Sequence, residues 1–396
     1  MSTPVKRKPQ SPAPETPSVI KAKTSTPGPA SPGAASSAGR AKLPTSVAEA
    51  SATEPTGVLS GEHWLQQGLL GPGENEDTDS ALGSDIDSST ASISSSILNY
   101  RTVNGRTYHS DSVTDREYWG PNDFKHIAAL DIIYHACDLM LGGKLHQAPL
   151  VESNLNNVVD IGTGSGIWAI DFADKYNKCN VIGTDISPVQ PSWIPPNLQF
   201  EINDASKQWT FMENIFDFIH MQFLNGAFGD LTDVYKEAHR CCKPGGWLEH
   251  CDLSTTIKSD DGTVFPESAW GQWGKLFDAA GKKIGKIMTM ADNGLMEKAM
   301  RDVGFINVEV KKFKMPISPW PKDPKQKDIG LYYYAAISSD VEGVMQYMFA
   351  NVLGWTQEQI TVLFAAYARR ELKDTSIHGY VRWQVVYGQK PEYEGE

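Results

Sequence analysis

The chain has 396 residues, of which 40% are hydrophobic, and its formal net charge is −12 at pH 7. This length suits one large domain or two ordinary ones, and the acidic balance argues against general nucleic-acid binding, which requires a cationic surface. No apolar run approaches the roughly 18 residues of a membrane span, and the first residues lack the apolar core of a signal peptide, so we expect no membrane attachment.

The first part of the chain, from Met1 to about Ser96, is rich in Ser, Thr, Pro, Ala and Gly. It has few large apolar residues and buries too little surface to offset its chain entropy, so we predict a disordered tail over residues 1–96. A short basic run, KRK at 6–8, could support nuclear import. A solvated tail is the simpler explanation, and we expect a cytoplasmic protein with the nucleus as the alternative.

From about residue 97 to 396 the sequence predicts a single folded domain. Apolar residues recur at helical spacing from His126 to Leu141, and Gly142-Gly143 ends this helix. Strands and helices then alternate, which is typical of an α/β fold with a mostly parallel sheet. The predicted strands are 157–161, 180–185, 198–204, 216–221, 247–253, 305–313 and 380–388, and the predicted helices after the first are 167–176, 231–242, 291–303 and 329–372.

A glycine-rich loop, VVDIGTGSGIWAID, begins in the first predicted strand. Gly162, Gly164 and Gly166 are spaced G-x-G-x-G, whereas a dinucleotide-binding loop has G-x-G-x-x-G and presents a helix N-terminus to a pyrophosphate. Asp160 stands two residues before the first glycine, where a carboxylate would repel a pyrophosphate and attract an ammonium group. The pattern favours S-adenosylmethionine, which has an amino-acid end and no phosphate. A nicotinamide dinucleotide and a chance glycine-rich turn are the alternatives.

Two further acids follow the next two predicted strands. Asp185 ends the second strand, where a carboxylate can accept hydrogen bonds from both ribose hydroxyls, although dinucleotide enzymes use an acid in the same way. Asp204 ends the third strand, where it could accept from the adenine amino group. Ligands of an open parallel sheet bind at this edge, so the acids and the glycine loop predict one adenosyl-binding site.

The cysteines and histidines show no metal-binding spacing. The chain has five cysteines and no Cys-x-x-Cys pair, so reduced thiols are the default and a structural zinc site is not expected. The nine histidines have no metal spacing with Asp or Glu. We therefore predict no metal.

Several motifs together resemble the class I S-adenosylmethionine-dependent methyltransferases. They are DIGTGSGIWAID, VIGTDISPVQPSWIPPNLQFEIND, FDFIHMQFL and KPGGWLE. PWPKDPKQKDIG, LGW and VYGQKP extend the similarity to the fungal group around the velvet-complex regulator of secondary metabolism. The resemblance covers about residues 98 to 391.

This resemblance implies a Rossmann-like sheet of seven strands whose last strand is antiparallel, with a helical cap inserted at about 329–372. It implies that the cofactor residues are Asp160, Gly162, Gly164, Gly166, Asp185 and Asp204. Ile186 should lie beside the ribose and Ala205 near the adenine ring.

The acceptor of the methyl group stays open at this point. In the velvet-complex regulator an acidic, Arg-containing segment leads into the first helix, whereas this chain has PNDFKHIAAL at 121–130 and carries His220 and Gln222 after the fourth strand. One hypothesis is an enzyme that methylates an oxygen or nitrogen of a small secondary metabolite. The other is a nuclear regulator with velvet-type protein partners and a protein acceptor or none.

His220 is the first candidate for a general base or an acceptor-orienting group, because it ends the fourth strand beside the expected acceptor position. A hydrogen-bonded histidine beside the sheet is the alternative. Glu249 is interpreted as structural. Tyr108 and His109 could fold over the cofactor, and an aromatic acceptor pocket could be lined by Trp270, Trp273, Tyr332, Tyr333 and Tyr334.

Overall fold

The computed structural model describes residues 57–68, 95–114 and 118–392, which all belong to one compact unit. Helices and strands alternate along most of these residues. In chain order they are α1 (Gly61–Gly68), β1 (Arg101–Val103), β2 (Arg106–Tyr108), α2 (Phe124–Leu141), β3 (Asn157–Ile161), α3 (Ile167–Lys175), β4 (Asn180–Asp185), β5 (Leu198–Ile202), β6 (Phe216–Gln222), α4 (Leu231–Cys241), β7 (Cys242–Lys258), α5 (Ala269–Lys283), α6 (Leu295–Asp302), β8 (Ile306–Pro316), α7 (Pro324–Met345), α8 (Ala365–Lys373) and β9 (Tyr380–Gln389).

The main sheet has seven strands in the order β5-β4-β3-β6-β7-β9-β8. β3 pairs in parallel with β4 on one side and with β6 on the other, and β9 is antiparallel to both β7 and β8. The predicted seven-stranded sheet with an antiparallel last strand is therefore confirmed. Because the chain leaves β3 in one direction and returns on its other side at β6, a crevice opens at the carboxyl end of β3.

Alternating residues of the central strands enter two separate hydrophobic cores. Val158 packs in a core with residues of α2, α3, α5, α7 and α8, whereas Val159 packs in a second core with residues of α4 and α6. Side chains of a strand point alternately to the two faces, so a strand covered on both sides is apolar throughout. This explains the continuous apolar runs that marked β3 and β6 in the sequence.

The first long helix, α2, is closed at both ends by its own sequence. Asp123 accepts a hydrogen bond from the backbone N–H of His126, and Gly142 adopts φ of 67° and ends the helix. The predicted stop at Gly142-Gly143 is confirmed, and the helix begins two residues earlier than predicted. α5 and the hairpin of β1 and β2 were not predicted, and β7 is longer than the predicted strand 247–253.

The predicted helical insertion at 329–372 is present between β8 and β9. α7 leads into a π-helical segment over Gln346–Val352, and a second π-helical segment over Gln359–Phe364 leads into α8. Within α7, Asp340 has non-helical backbone angles of φ −144° and ψ 35°, which kink the helix.

The described part of the predicted tail contains a helix. Residues 57–68 include α1, whose Trp64 is 3% exposed and packs edge-on against Phe364 at a ring-centroid distance of 5.1 Å. The backbone N–H of Leu59 donates to Gln272 of α5 at 2.8 Å. The prediction of disorder is therefore wrong for residues 57–68, because one buried tryptophan anchors them. Most of the predicted tail, residues 1–56 and 69–94, lies outside the described residues.

None of the described helices combines the length and apolarity that a membrane crossing requires.

Candidate active site

The glycine loop between β3 and α3 has a backbone that only glycine adopts easily. Gly162, Gly164 and Gly166 have φ of 70°, 57° and 83°, in the left-handed region that disfavours side chains. A Cβ on Gly162 would lie 2.5 Å from Leu224, and one on Gly166 would lie 2.3 Å from Phe200. A Cβ on Gly164 would meet no protein atom within 4 Å. The loop therefore leaves open space above Gly164 alone.

That space belongs to a cavity at the carboxyl edge of the sheet. The loop after β3, the ends of β4, β5 and β6, one face of α2 and the segment between β2 and α2 line the cavity. Among the predicted site residues, those that line it are Asp160, Gly162, Gly164, Asp185, Ile186, Asp204, Ala205 and His220. Gly166 does not line the cavity; it precedes the first residue of α3 and packs against Phe200.

Asp185 connects the end of β4 to the glycine loop. One carboxylate oxygen accepts from the backbone N–H of Gly164 at 2.8 Å, and the other accepts from the backbone N–H of Ser187 at 2.9 Å. Burial raises the pKa of Asp185 to about 6, and these backbone hydrogen bonds only partly oppose the shift. Further donors, such as a pair of ribose hydroxyls, would stabilise its ionised form.

Asp204 fixes the segment that precedes α2 onto the sheet. Its carboxylate accepts from the hydroxyl of Thr114 at 2.6 Å and from the hydroxyl of Ser206 at 2.6 Å. Burial favours the neutral carboxyl, but the hydrogen bonds from Ser206 and Thr114 outweigh it and lower the pKa of Asp204. An ionised acid that lines the cavity is consistent with the predicted adenine contact.

Asp160 and His220 form a buried pair beneath the cavity. His220 Nδ1 lies 2.8 Å from Asp160 Oδ1, and the hydroxyl of Thr163 donates to Asp160 Oδ2 at 2.6 Å. The imidazole stacks on the indole of Trp168 with ring centroids 3.7 Å apart. The carboxylate and the stacking partner together fix the position and the plane of the His220 ring.

Glu249 continues this row on the neighbouring strand. In the sheet Asp160 pairs with His220, and His220 pairs with Glu249. Glu249 is fully buried, and one of its oxygens accepts from the backbone N–H groups of Gln147 and Ala148 at 2.8 and 2.6 Å. Burial raises the pKa of Glu249, and nearby His220 opposes that shift. These contacts support the structural role predicted for Glu249.

One grouping within the described part of the chain brings three potential metal-ligand atoms within 4.8 Å of one another, from His220, Glu249 and Cys251. Glu249 already serves two backbone donors, and burial raises the pKa of the Cys251 thiol well above its usual range. A neutral thiol is a poor ligand, because metal ions bind the thiolate.

The segment between β2 and α2 forms part of the cavity wall, which the sequence predicted only in part. His109 lines the cavity as expected, whereas Tyr108 is fully buried and packs against Tyr347. Thr114 and Tyr118 line the cavity and were not predicted. Their signal was weak, because no periodicity or spacing distinguishes them from an ordinary connecting segment.

The proposed aromatic acceptor pocket is wrong as a set. Trp270, Trp273 and Tyr333 are buried in the core, and Tyr332 is 38% exposed. None of these, nor Tyr334, lines the cavity, because α5 packs against β7 and α8, and α7 packs against α2 and β8. Aromatic residues at helical spacing here build the core.

Unpredicted residues of α2 also reach the cavity. His126, Asp131 and Tyr134 line it, and the hydroxyl of Ser165 in the glycine loop donates to Asp131 at 2.6 Å. The sequence signal that could have revealed these residues was a polar residue at a core position of an otherwise apolar helix. Trp168 was missed because an apolar residue early in α3 predicts only packing.

The charge of the cavity selects its ligand. Among the described residues, four carboxylates line it, those of Asp131, Asp160, Asp185 and Asp204. Lys286, which also lines it, already donates to the backbone carbonyl of Ala227 at 2.8 Å. Such a site favours a cationic ligand over a phosphate-bearing one. S-adenosylmethionine carries a sulfonium and an ammonium group, and the open space above Gly164 and the acid after β4 fit its amino-acid end and its ribose.

The fold and this cavity together define a class I S-adenosylmethionine-dependent methyltransferase. The family described as "Methyltransferase domain" matches residues 136–310. Methyltransferase pytC of Aspergillus terreus is 35% identical over 308 residues, which are 78% of this chain and 93% of pytC. Secondary metabolism regulator LAE1 of Cochliobolus heterostrophus is 32% identical over 294 residues, which are 73% of this chain and 94% of LAE1.

The chain belongs to the methyltransferase family that includes pytC and LAE1. A solved structure, phosphoethanolamine N-methyltransferase 2 of Haemonchus contortus in complex with S-adenosyl-L-methionine, aligns with a TM-score of 0.41 and 16% identity. That alignment covers 67% of this chain and 57% of the other, less than two thirds of its length.

Proposed function

We propose that the protein transfers a methyl group to an oxygen or nitrogen atom of a small secondary metabolite. The observation that carries the proposal is that the described residues between β2 and α2, 109–114 and 118–123, cover one side of the cavity. This segment is fastened by Thr114 to Asp204, by Asn122 to Ser187 and by Trp119 to the carbonyl of Asn225. A cavity covered on one side in this way suits a small acceptor better than an extended protein surface.

The lining supports an acceptor with apolar parts. Ile127 and Leu130 of α2 face the cavity together with Phe223 and Phe228 after β6. S-adenosylmethionine supplies a methyl group on a sulfonium, and the protein aligns the acceptor with it in a site shielded from water. pytC, which is similar over most of its length, is named a methyltransferase.

In this proposal the carboxylate of Asp185 accepts from the ribose hydroxyls and Asp204 lies at the adenine. Ile186 and Ala205 contact the ribose and the adenine ring, and Asp160 faces the ammonium end. His220 orients the acceptor or takes its proton, supported by its fixed ring and its position on the cavity wall. A base matters most when the acceptor is a hydroxyl.

The experiment incubates the purified full chain with methyl-labelled S-adenosylmethionine and a metabolite extract of a fungal culture that lacks the gene. We expect label in one small-molecule fraction, identified by mass spectrometry, and no label with Gly162→Arg. Transfer to no fraction, in spite of calorimetrically measured cofactor binding, would contradict the proposal.

A second candidate is a nuclear regulator with velvet-type protein partners. It is favoured by the relative LAE1, which is named a secondary metabolism regulator. Deleting the gene separates the two candidates. Loss of one methyl group from one metabolite supports the enzyme, whereas loss of several metabolite classes supports the regulator.

A further inference from the structure

A second histidine–carboxylate pair borders the same cavity. His126, on the first turn of α2, lines the cavity and is 4% exposed. Its Nδ1 lies 3.1 Å from Oδ2 of Asp340, which is fully buried in the kink of α7. His126 and Asp340 are 214 residues apart in the chain. Their pairing is therefore made by the packing of α2 against α7.

Arg106 holds Asp340 in place. Its guanidinium donates to the two oxygens of Asp340 at 2.8 and 3.0 Å and to the two oxygens of Asp123 at 2.6 and 2.7 Å. A Cβ on Gly343 would lie 2.0 Å from the guanidinium, so this turn of α7 requires glycine. Burial opposes ionisation of Asp340, but its hydrogen bonds to His126 and Arg106 lower its pKa. The carboxylate thus faces His126 in its charged form.

The kink of α7 is what turns this carboxylate inward. Asp340 has backbone angles outside the helical region while its neighbours continue the helix. Backbone departures of this kind persist only where surrounding contacts enforce them, and they concentrate at functional sites. Here the contacts are those of Arg106 and His126.

The charges around His126 suit a group that receives a proton. Asp123 and Asp340 carry two negative charges, Arg106 carries the positive charge that is mostly buried between them, and Asp340 is the charge in direct contact with His126. Lys125 approaches Asp340 at 3.8 Å from an exposed position, and Tyr108 lies near the same charges. The surroundings of His220 differ from those of His126, because His220 lies beside two acids, Asp160 and Glu249.

We propose that His126, oriented by Asp340, is a catalytic residue that takes the proton of a hydroxyl acceptor; the inference rests on the proposed function. With Nδ1–H donated to Asp340, Nε2 carries the free electron pair and has no hydrogen-bond partner among the described residues. As the acceptor oxygen bonds to the methyl carbon, the carbon–sulfur bond breaks and its electron pair stays on sulfur. The hydroxyl proton moves to Nε2 and later leaves to water.

The first test compares His126→Asn and Asp340→Asn with His135→Asn, a control on an exposed part of the same helix. The acceptor is the labelled fraction found with the wild-type chain. We expect methyl transfer to fall at least about 100-fold in His126→Asn, the usual contribution of a general base. Calorimetric affinity for S-adenosylmethionine should change less than about twofold, because Asn still donates to Asp340.

The pH dependence of the methyl-transfer rate distinguishes a catalytic role of His126 from a structural one. At saturating S-adenosylmethionine the wild-type rate should fall on the acidic side, and His126→Asn should lose this limb and recover rate at alkaline pH. His135→Asn should follow the wild type. An unchanged rate or an unchanged acidic limb in His126→Asn would overturn the inference.

A measurement without acceptor keeps this inference distinct from the proposed function. Histidine nitrogen NMR of the full chain reports which ring nitrogen of His126 carries the proton, with His126→Asn for assignment. We expect the Nδ1–H form in the wild type and a mixture in Asp340→Asn. A proton on Nε2 in the wild type would overturn the inference even if transfer is found, and absence of transfer with the Nδ1–H form would count against the proposed function alone.

Discussion

The imidazole of His220 lies parallel to the indole of Trp168, with ring centroids 3.7 Å apart and an interplanar angle of 7°. Trp168 lies in α3, directly after the glycine loop, and its indole N–H donates to the carbonyl of Leu145 at 2.8 Å. The helix that follows the cofactor loop therefore also sets the plane of the histidine beside the cavity. The glycine loop and His220 are parts of one rigid unit.

This stacking predicts an unusual NMR signal for His220. Its ring protons lie over the indole and should resonate far upfield of a free imidazole. Trp168→Phe should keep part of that shift and Trp168→Leu should abolish it, while both variants lose the same indole N–H. The leucine variant should also lose about 3 kcal/mol of unfolding free energy. Equal His220 shifts in the two variants would contradict the stacked geometry.

Gly164 and Gly166 offer a matched pair of substitutions. Both have positive φ, so alanine adds backbone strain on the order of 1 kcal/mol at either position. At Gly164 the added methyl group enters the open cavity, whereas at Gly166 it lies 2.3 Å from Phe200. We expect Gly164→Ala to weaken S-adenosylmethionine binding at least about tenfold with little further loss of Tm. Gly166→Ala should lower Tm much more.

Calorimetry and thermal unfolding check this pair. Unchanged cofactor affinity in Gly164→Ala would mean that the ligand does not occupy the space above this glycine. An equal loss of Tm in both variants would mean that Phe200 moves aside without cost.

Cofactor affinity should depend on pH through Asp185. Its pKa in the free protein is raised by burial to about 6, and ribose hydroxyls donate best to the ionised form. Binding should therefore tighten by up to about tenfold per pH unit as pH rises toward 6, and level off above it. Asp185→Asn should bind weakly without this rise, and parallel profiles for the two proteins would refute the assignment.

The raised pKa of Asp185 also makes the unfolding free energy depend on pH in a defined direction. Because the folded pKa of Asp185 lies above the unfolded value of 3.8, its favourable contribution is complete below that value and is lost as pH rises through about 6. The unfolding free energy of the cofactor-free protein, measured with denaturant, should lose this part of its pH slope in Asp185→Asn.

Thr114 should control how long the cofactor stays bound. Thr114→Val removes the hydroxyl that donates to Asp204 and loosens the segment over the cavity. A hydrogen bond to a carboxylate contributes about 1.5–3 kcal/mol, so the dissociation rate of S-adenosylmethionine should rise at least about tenfold. Ser112→Ala, at an exposed position of the same segment that bonds Ser96, is the control. Stopped-flow rates that are equal in the two variants would argue against such fastening.

Gly343 should be essential for the Arg106 network. Gly343→Ala places a methyl group against the guanidinium, which must leave Asp340 or Asp123. Breaking a buried ion pair costs about 3–5 kcal/mol, so the unfolding free energy should fall by a similar amount. Denaturant unfolding checks this, and a loss below about 1 kcal/mol would show that the network readjusts.

The sequence was sufficient to predict that Asp160, Asp185 and Asp204 meet at one edge of the sheet, because their positions are local. Asp160, Asp185 and Asp204 each lie at or just after a strand end, and parallel strands bring such ends to one edge. A hydrophobic pattern and a glycine spacing are sufficient for that conclusion. The seven-stranded sheet and the cap followed from the same patterns together with the resemblance to known methyltransferases.

The remaining site residues depend on packing between distant parts of the chain. His126 meets Asp340 across 214 residues, and Thr114 meets Asp204 across 90. No spacing within either segment encodes these pairs. Aromatic residues misled for a related reason, since Trp270 and Trp273 carry the same signal whether they line a cavity or fill a core.

The docking of α1 decides where the chain can be shortened. Trp64 is buried against Phe364, and the amide of Gln272 binds both Leu59 and the carbonyl of Gly57. A protein that begins near residue 97, where the low-complexity composition ends, would expose the aromatic surface of the cap to water and invite aggregation. A shortened protein for crystallisation or binding studies should instead begin before Gly57, so that α1 still covers the aromatic surface of the cap.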